Sequence, residues 1–145
     1  MNNREKTKFG YLAKSNMQCE KLYWFLDRIP NVTKPLTPED FENHMNEYLK
    51  RFDDEIEQIK LKQSISKNRL NQHNGRLDAI TMTLERDLNE YKGGGMEMID
   101  LCDPEKFESL MLWDKQTKTM QHLKFDRISE KYLHSLKNKT KDMEQ

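Results

Sequence analysis

The chain has 145 residues, 34% of them hydrophobic and 34% charged. That length fits one domain, and a mean hydropathy of −1.06 leaves room only for a modest core built from amphipathic elements. Lys plus Arg and Asp plus Glu number 25 each, for a net charge of zero, which argues against a general nucleic-acid binder unless the charge is unevenly placed.

Residues 1–10 read as a flexible basic arm, followed by a single helical domain over 11–136 and a flexible tail over 137–145. The arm lacks the apolar stretch of a signal peptide. No run approaches the roughly 18 apolar residues of a membrane span, so no membrane partner is expected. The first helix is expected over 11–29, with Leu12, Cys19, Leu22, Phe25, Leu26 and Ile29 on one stripe. Pro30 stops it, because proline donates no N–H and disfavours α geometry in the residue before it.

Thr37-Pro38-Glu39-Asp40 offers a capping hydroxyl, a proline at the first helical position and two acids against the helix dipole. Behind it Phe41, Met45, Tyr48, Phe52, Ile56 and Ile59 form a continuous apolar stripe, which predicts one helix from Pro38 to about Ser64. A turn is expected at Asn74-Gly75, then a helix over 76–92 with Leu77, Ile80, Leu84, Leu88 and Tyr91 inward. Gly93-Gly94-Gly95 ends it. Met96–Cys102 reads as an extended strap. Asp103-Pro104-Glu105 repeats the start signal for a short helix carrying Phe107, Leu110, Met111 and Trp113, and a last amphipathic stretch covers 125–136. No alternating strand pattern is present. The fold class is all-α: a small bundle of about four to five helices with extended connecting straps.

The chemistry-bearing residues do not assemble into a catalytic signature. Gly93-Gly94-Gly95 lacks the Lys-Ser/Thr of a phosphate loop and follows no predicted strand. His44, His73, His122 and His134 share no metal-ligand spacing with one another or with Cys19 and Cys102, so no metal or other cofactor is expected. The two cysteines read as free thiols. Asp53-Asp54-Glu55 and Glu57 fall on the polar side of the strongest helix and read as a solvated face, with Glu55 placed to pair with Arg51 one turn earlier. Trp24 and Trp113 sit among apolar residues at helical spacing and read as core.

Charge is unevenly distributed. Thr37–Gln58 carries eight acids against Lys50 and Arg51, whereas Ile59–Arg76 carries Lys60, Lys62, Lys67, Arg69, His73 and Arg76 and no acid. From Lys115 the chain is again Lys-rich. The acid-free stretch has two readings. One is a solvated helix end, where lysines favour the dipole; the other is a phosphate-binding face that releases counterions from a nucleic acid.

The stretch Glu20-Lys21-Leu22-Tyr23-Trp24-Phe25 and the block Tyr48-Leu49-Lys50-Arg51-Phe52-Asp53-Asp54-Glu55-Ile56-Glu57-Gln58-Ile59 resemble the translation machinery-associated protein 16 family. The similarity continues through Ser64-Ile65, His73, Arg76, Thr83-Leu84-Glu85-Arg86, Gly93, Gly95, Glu97, Asp100 and Trp113-Asp114, and thins through Lys118, Lys124 and Ile128. Only Met1–Cys19 precede the first of these blocks, and the His-Pro-x-Ser-Arg-Lys-type motif of the family's basic N-terminal extension is absent, as is the acidic C-terminal tail of larger relatives.

The resemblance implies a helical, non-enzymatic ribosome biogenesis factor of the nucleus and nucleolus. It would associate with the pre-60S ribosomal particle, the large-subunit precursor, through ribosomal RNA and ribosomal proteins. It favours the phosphate-binding reading of the acid-free stretch. The expected RNA- or ribosome-binding set is Lys60, Lys62, Lys67, Arg69, His73 and Arg76, with Lys118, Lys124 and Arg127 from the second Lys-rich segment. The chain is expected to act as a monomer. The alternative is a helical adaptor that binds another protein and no RNA, favoured by the neutral net charge and the acidic Thr37–Gln58 face.

Overall fold

The computed structural model describes the backbone of residues 3–65 and 74–144, and the side chains of 13–65 and 75–139. Its elements run α1 (Asn3–Arg28), α2 (Pro38–Leu49), α3 (Asp53–Ile65), α4 (Asn74–Lys92), β1 (Met96–Met98), α5 (Pro104–Met111), a 3-10 turn (Thr117–His122), β2 (Asp126–Ile128) and α6 (Glu130–Glu144). The architecture is a small helical domain, mostly α, with six helices and one two-stranded sheet among the described residues.

Helix α1 begins at Asn3, well ahead of the expected start near Tyr11. Arg4, Glu5, Lys6 and Lys8 are good helix formers, and no proline interrupts them. The helix buries Cys19, Leu22, Phe25 and the following Ile29 at spacings of three, three and four. At Pro30 the chain turns, the Val32 N–H bonding the Ile29 carbonyl at 3.3 Å, and it is then tied down by the Leu36 N–H donating to the Leu101 carbonyl at 2.9 Å.

The single helix expected from Pro38 to Ser64 is two helices. Its start is as read: the Thr37 hydroxyl accepts from the Asp40 N–H at 3.1 Å, with Pro38 in the first turn. At Lys50–Phe52 the ladder tightens to bonds spanning three residues, Lys50 to Glu47, Arg51 to Tyr48 and Asp53 to Lys50. The cause is tertiary. The Arg51 guanidinium lies over the Tyr48 and Phe52 rings at 3.9 and 4.6 Å and reaches Asp87 of α4 at 2.9 Å. Asp53, Asp54 and Glu55 then favour the positive N-terminal end of α3.

Asn74-Gly75, expected as a turn, forms the first two residues of α4. Along α4, Ile80 and Tyr91 are buried as expected, but Leu88 is 45% exposed and Asp87 takes the inward place. The Gly93–Gly95 segment ends α4. The Gly95 N–H bonds the Glu90 carbonyl at 2.8 Å, and Gly95 has a φ of 112°.

The strap after it contains a strand that sequence reasoning missed. Met96, Glu97 and Met98 pair antiparallel with Ile128, Arg127 and Asp126. Three residues are too few for an alternation to register. The stretch 125–136, read as one helix, is therefore β2 followed by α6, and α6 runs on to Glu144, beyond the expected end near Leu136.

The core joins α1, α2, β1, α5, β2 and α6 through Leu22, Phe25, Phe41, Met45, Met98, Leu110, Ile128 and Leu133. Each fully buried side chain of this size contributes about 1.5–3 kcal/mol relative to exposure. The Phe25 ring meets Phe41 edge-on and stacks on Tyr48. Trp113 is buried as expected, donating its indole N–H to the Thr119 hydroxyl at 3.0 Å, while Trp24 is half-buried at the edge of the core. Cys19 and Cys102 are free thiols. No helix among the described residues is long and apolar enough to cross a membrane.

Candidate nucleic-acid interface

Lys60 and Lys62 stand exposed on the last turns of α3. Neither forms an ion pair with a described residue. Ile59, just before them, is buried. Leu61, flanked by the two lysines, is 52% exposed, and Ile65, one turn on, is 76% exposed. Lys67, Arg69 and His73 lie outside the described residues. Arg76, in the first turn of α4, is engaged by the chain's own carboxylate: its Nε and one terminal nitrogen donate to the two Glu55 oxygens at 2.7 and 3.0 Å. This fork holds the Glu55 carboxyl below the usual carboxylate range and the guanidinium above its own. The pairing expected between Glu55 and Arg51 is thereby replaced by two others, Glu55 with Arg76 and Arg51 with Asp87.

Lys118 lies on the 3-10 turn and Lys124 just after it, both exposed and without an ion pair among the described residues. This segment is fastened to α1. Tyr23 stacks on Trp113 with ring centres 5.9 Å apart, and its hydroxyl donates to the carbonyl of Lys115, whose φ is 65°. The residues between Asp114 and Asp126 include no acid, and Lys115 and His122 are exposed alongside Lys118 and Lys124. Lys115 and His122 share this exposed, acid-free segment with the predicted Lys118 and Lys124.

Arg127 of β2 is exposed, but its guanidinium is 3.6 Å from Glu97 and bonds the Gly95 carbonyl at 3.3 Å. The six described members of the predicted set are therefore spread over several elements. They lie on α3, the start of α4, the 3-10 segment and β2.

Another group of cations, Arg127 among them, does share one groove, together with Glu20, Asp87, Glu90 and Glu97. A groove of about 830 Å³ between α1 and α4 is lined by Lys14, Lys21, Arg51, Arg86 and Arg127 together with Met17, Trp24 and Phe52. Lys21 donates to the Glu97 carbonyl at 2.8 Å. Burial holds its ammonium pKa below the usual lysine range, against the pull of Asp87, Glu90 and Glu97. The available signal was the spacing of Lys14, Gln18 and Lys21 at four and seven on α1. The α2–α3 turn and β2 supply the rest from distant sequence.

The sequence pattern of the translation machinery-associated protein 16 family matches residues 1–130. A Drosophila melanogaster protein described as a translation machinery-associated protein 16 homolog is 48% identical over 144 residues, 99% of this chain and 80% of its own length. The Danio rerio and Mus musculus proteins described as translation machinery-associated protein 16 are 33% and 29% identical over 88% and 86% of this chain. The chain spans 66% and 57% of those two relatives. The match over residues 1–130, together with the fly relative, places the chain in the translation machinery-associated protein 16 family.

Proposed function

We propose that this chain is a non-enzymatic assembly factor of the nucleus and nucleolus that binds pre-60S particles, touching both ribosomal RNA and ribosomal proteins. The relatives' description as translation machinery-associated supports a ribosome-related role. The observation that carries the RNA part is the state of Lys60 and Lys62. Both are exposed, without an ion pair among the described residues, and lead into a stretch with no acid of its own. Unpaired cations exchange solvent counterions for phosphates, whereas cations already forked by carboxylates have less to gain.

Binding rather than reaction is also what the carboxylates suit. Glu55, Asp87, Glu97, Asp126 and Glu130 are each held in an ion pair with a neighbouring cation. On this reading the protein acts as a monomer, by occupancy. Basic residues position it, and the shape of folded RNA selects the site.

The test is sedimentation of the tagged protein combined with binding of purified protein to large-subunit ribosomal RNA fragments at several salt concentrations. Migration with large-subunit precursors and steep salt dependence are expected. Recovery only in the free pool overturns the particle assignment, and indifference to RNA at low salt overturns the RNA contact. The second reading, a helical adaptor without RNA, is favoured by one observation: Arg76 and Arg127 are engaged by Glu55 and Glu97. It predicts binding that changes little with salt.

A further inference from the structure

We propose that the groove between α1 and α4 receives an amphipathic helix of a partner protein, one of whose carboxylates pairs with Lys21. This rests on the assembly-factor reading only for where the partner is to be found.

The groove pairs apolar surface with a charge that no carboxylate of a described residue touches. Met17 is 46% exposed in it, and Trp24 and Phe52 present half-buried rings. Such surface stays in contact with water until something covers it. Lys21 is half-buried among these side chains, yet no carboxylate of a described residue lies within 4 Å of its ammonium. Among the described residues its ammonium donates only to the Glu97 backbone carbonyl, although an ammonium has three donors.

Two of the three acids whose charge reaches Lys21 are already shared. Asp87 is taken by Arg51 at 2.9 Å, with Arg86 at 4.0 Å. Glu97 lies between Lys14 at 3.8 Å and Arg127 at 3.6 Å and also accepts from Gln18. A half-buried cation that acids reach only from beyond contact distance gains from a carboxylate placed directly against it.

The same surroundings choose between a protein and a nucleic acid. Glu20 and Glu90 stand at the groove and repel a continuous polyanion, whereas a helix can place one carboxylate at Lys21 and apolar side chains on either side of it. The face of Trp24 is already covered by the Arg28 guanidinium at 3.6 Å from the ring centre, which leaves that face unavailable to a base. Two helices flanking an apolar trough form the setting in which an amphipathic helix docks through anchors three and four residues apart.

The experiment places the photo-crosslinking residue p-benzoylphenylalanine at Thr83, on the groove wall, in the full chain in cells, and maps the product by mass spectrometry; particle sedimentation is read separately. The expected product is a protein segment with apolar residues at helical spacing and an Asp or Glu within one turn of them. Lys21→Gln should lower its yield at least about tenfold, as expected for a desolvated charge pair. Lys21→Asp combined with a Lys at the partner's acidic position should restore it.

The isolated Lys21→Met variant should melt no lower than the parent, since it removes a half-buried charge that no carboxylate contacts. A crosslink to RNA, a segment without an acid, an unchanged yield in Lys21→Gln, or a lower melting temperature in Lys21→Met overturns the proposal. Sedimentation with large-subunit precursors but no protein crosslink overturns the groove and spares the assembly role. A charge-swappable crosslink without co-sedimentation does the reverse.

Discussion

Arg51 and Asp87, 36 residues apart in sequence, meet at 2.9 Å with side chains only 15% and 6% exposed. The pair fixes the turn between α2 and α3 against α4. Arg51 is further held by the Tyr48 carbonyl, to which it donates at 2.9 Å, and by the two rings it lies over. Asp87→Ala leaves a desolvated guanidinium without a counter-charge and should cost about 3–5 kcal/mol. Replacing both residues by Met and Leu should cost less than that single change, because no charge is stranded. Urea unfolding of the two variants checks this; equal or reversed losses would show that the pair does not organise the turn.

The three glycines after α4 are not equivalent. At Gly95 φ is 112°, and an added Cβ would stand 2.9 Å from the Arg127 carbonyl carbon and Cβ. Alanine there is strained and also pushes β1 away from β2, so Gly95→Ala should cost on the order of 1–3 kcal/mol. At Gly94 nothing lies within 4 Å, and Gly94→Ala should leave the melting temperature nearly unchanged. Thermal unfolding of both variants provides the comparison, and equal losses would remove the conformational argument.

Alkaline stability follows from the tyrosines. Burial raises the Tyr48 phenol to about 12, and burial together with its hydrogen bond to Asp100 raises that of Tyr132. In the unfolded chain a phenol ionises near the ordinary value of about 10. The folded state then holds more protons than the unfolded one above that pH, so stability present below pH ~10 is lost as pH rises toward the folded values. Tyr132→Phe should flatten the decline above pH ~10 and cost about 1 kcal/mol at neutral pH through the lost hydrogen bond. Denaturant unfolding from pH 7 to 11 tests both, and an unaltered slope in the variant would assign the decline to other groups.

The parts of this fold that can be read from sequence are those whose cause is local. Thr37 before Pro38 and Asp103 before Pro104 cap α2 and α5 through side chains two or three residues from the N–H groups they accept from. The break at Lys50–Phe52 was invisible because its cause, Asp87, lies on another helix. The sheet was invisible because each strand is three residues long and its partner is thirty residues away. The extension of α6 past Leu136 is supported from α2, where Glu42 accepts from Lys137 at 2.8 Å and lies 3.3 Å from His134.

The candidate site divides in the same way. Lys60 and Lys62 could be found from an acid-free run, whereas Lys21, Arg51 and Arg86 reach one groove only through the packing of α1 against the α2–α3 turn and α4.

Salt dependence separates the free cations from the paired ones. Each phosphate neutralised by a lysine releases counterions and adds roughly 0.7–0.9 to the slope of log affinity against log salt. Lys60→Gln and Lys62→Gln together should therefore lower that slope by about 1–2 and weaken RNA binding at low salt. The melting temperature should stay the same, since both side chains are exposed and unpaired among the described residues. Arg76→Gln should act in the opposite pattern. Its guanidinium is already forked by Glu55, so its loss changes the slope little, while releasing the tie between the start of α4 and α3. Fluorescence anisotropy with a large-subunit ribosomal RNA fragment at 50 to 300 mM salt, beside thermal unfolding of each variant, resolves the two patterns. A slope that moves with Arg76 and not with the two lysines would place the phosphate contact on α4 rather than on the end of α3.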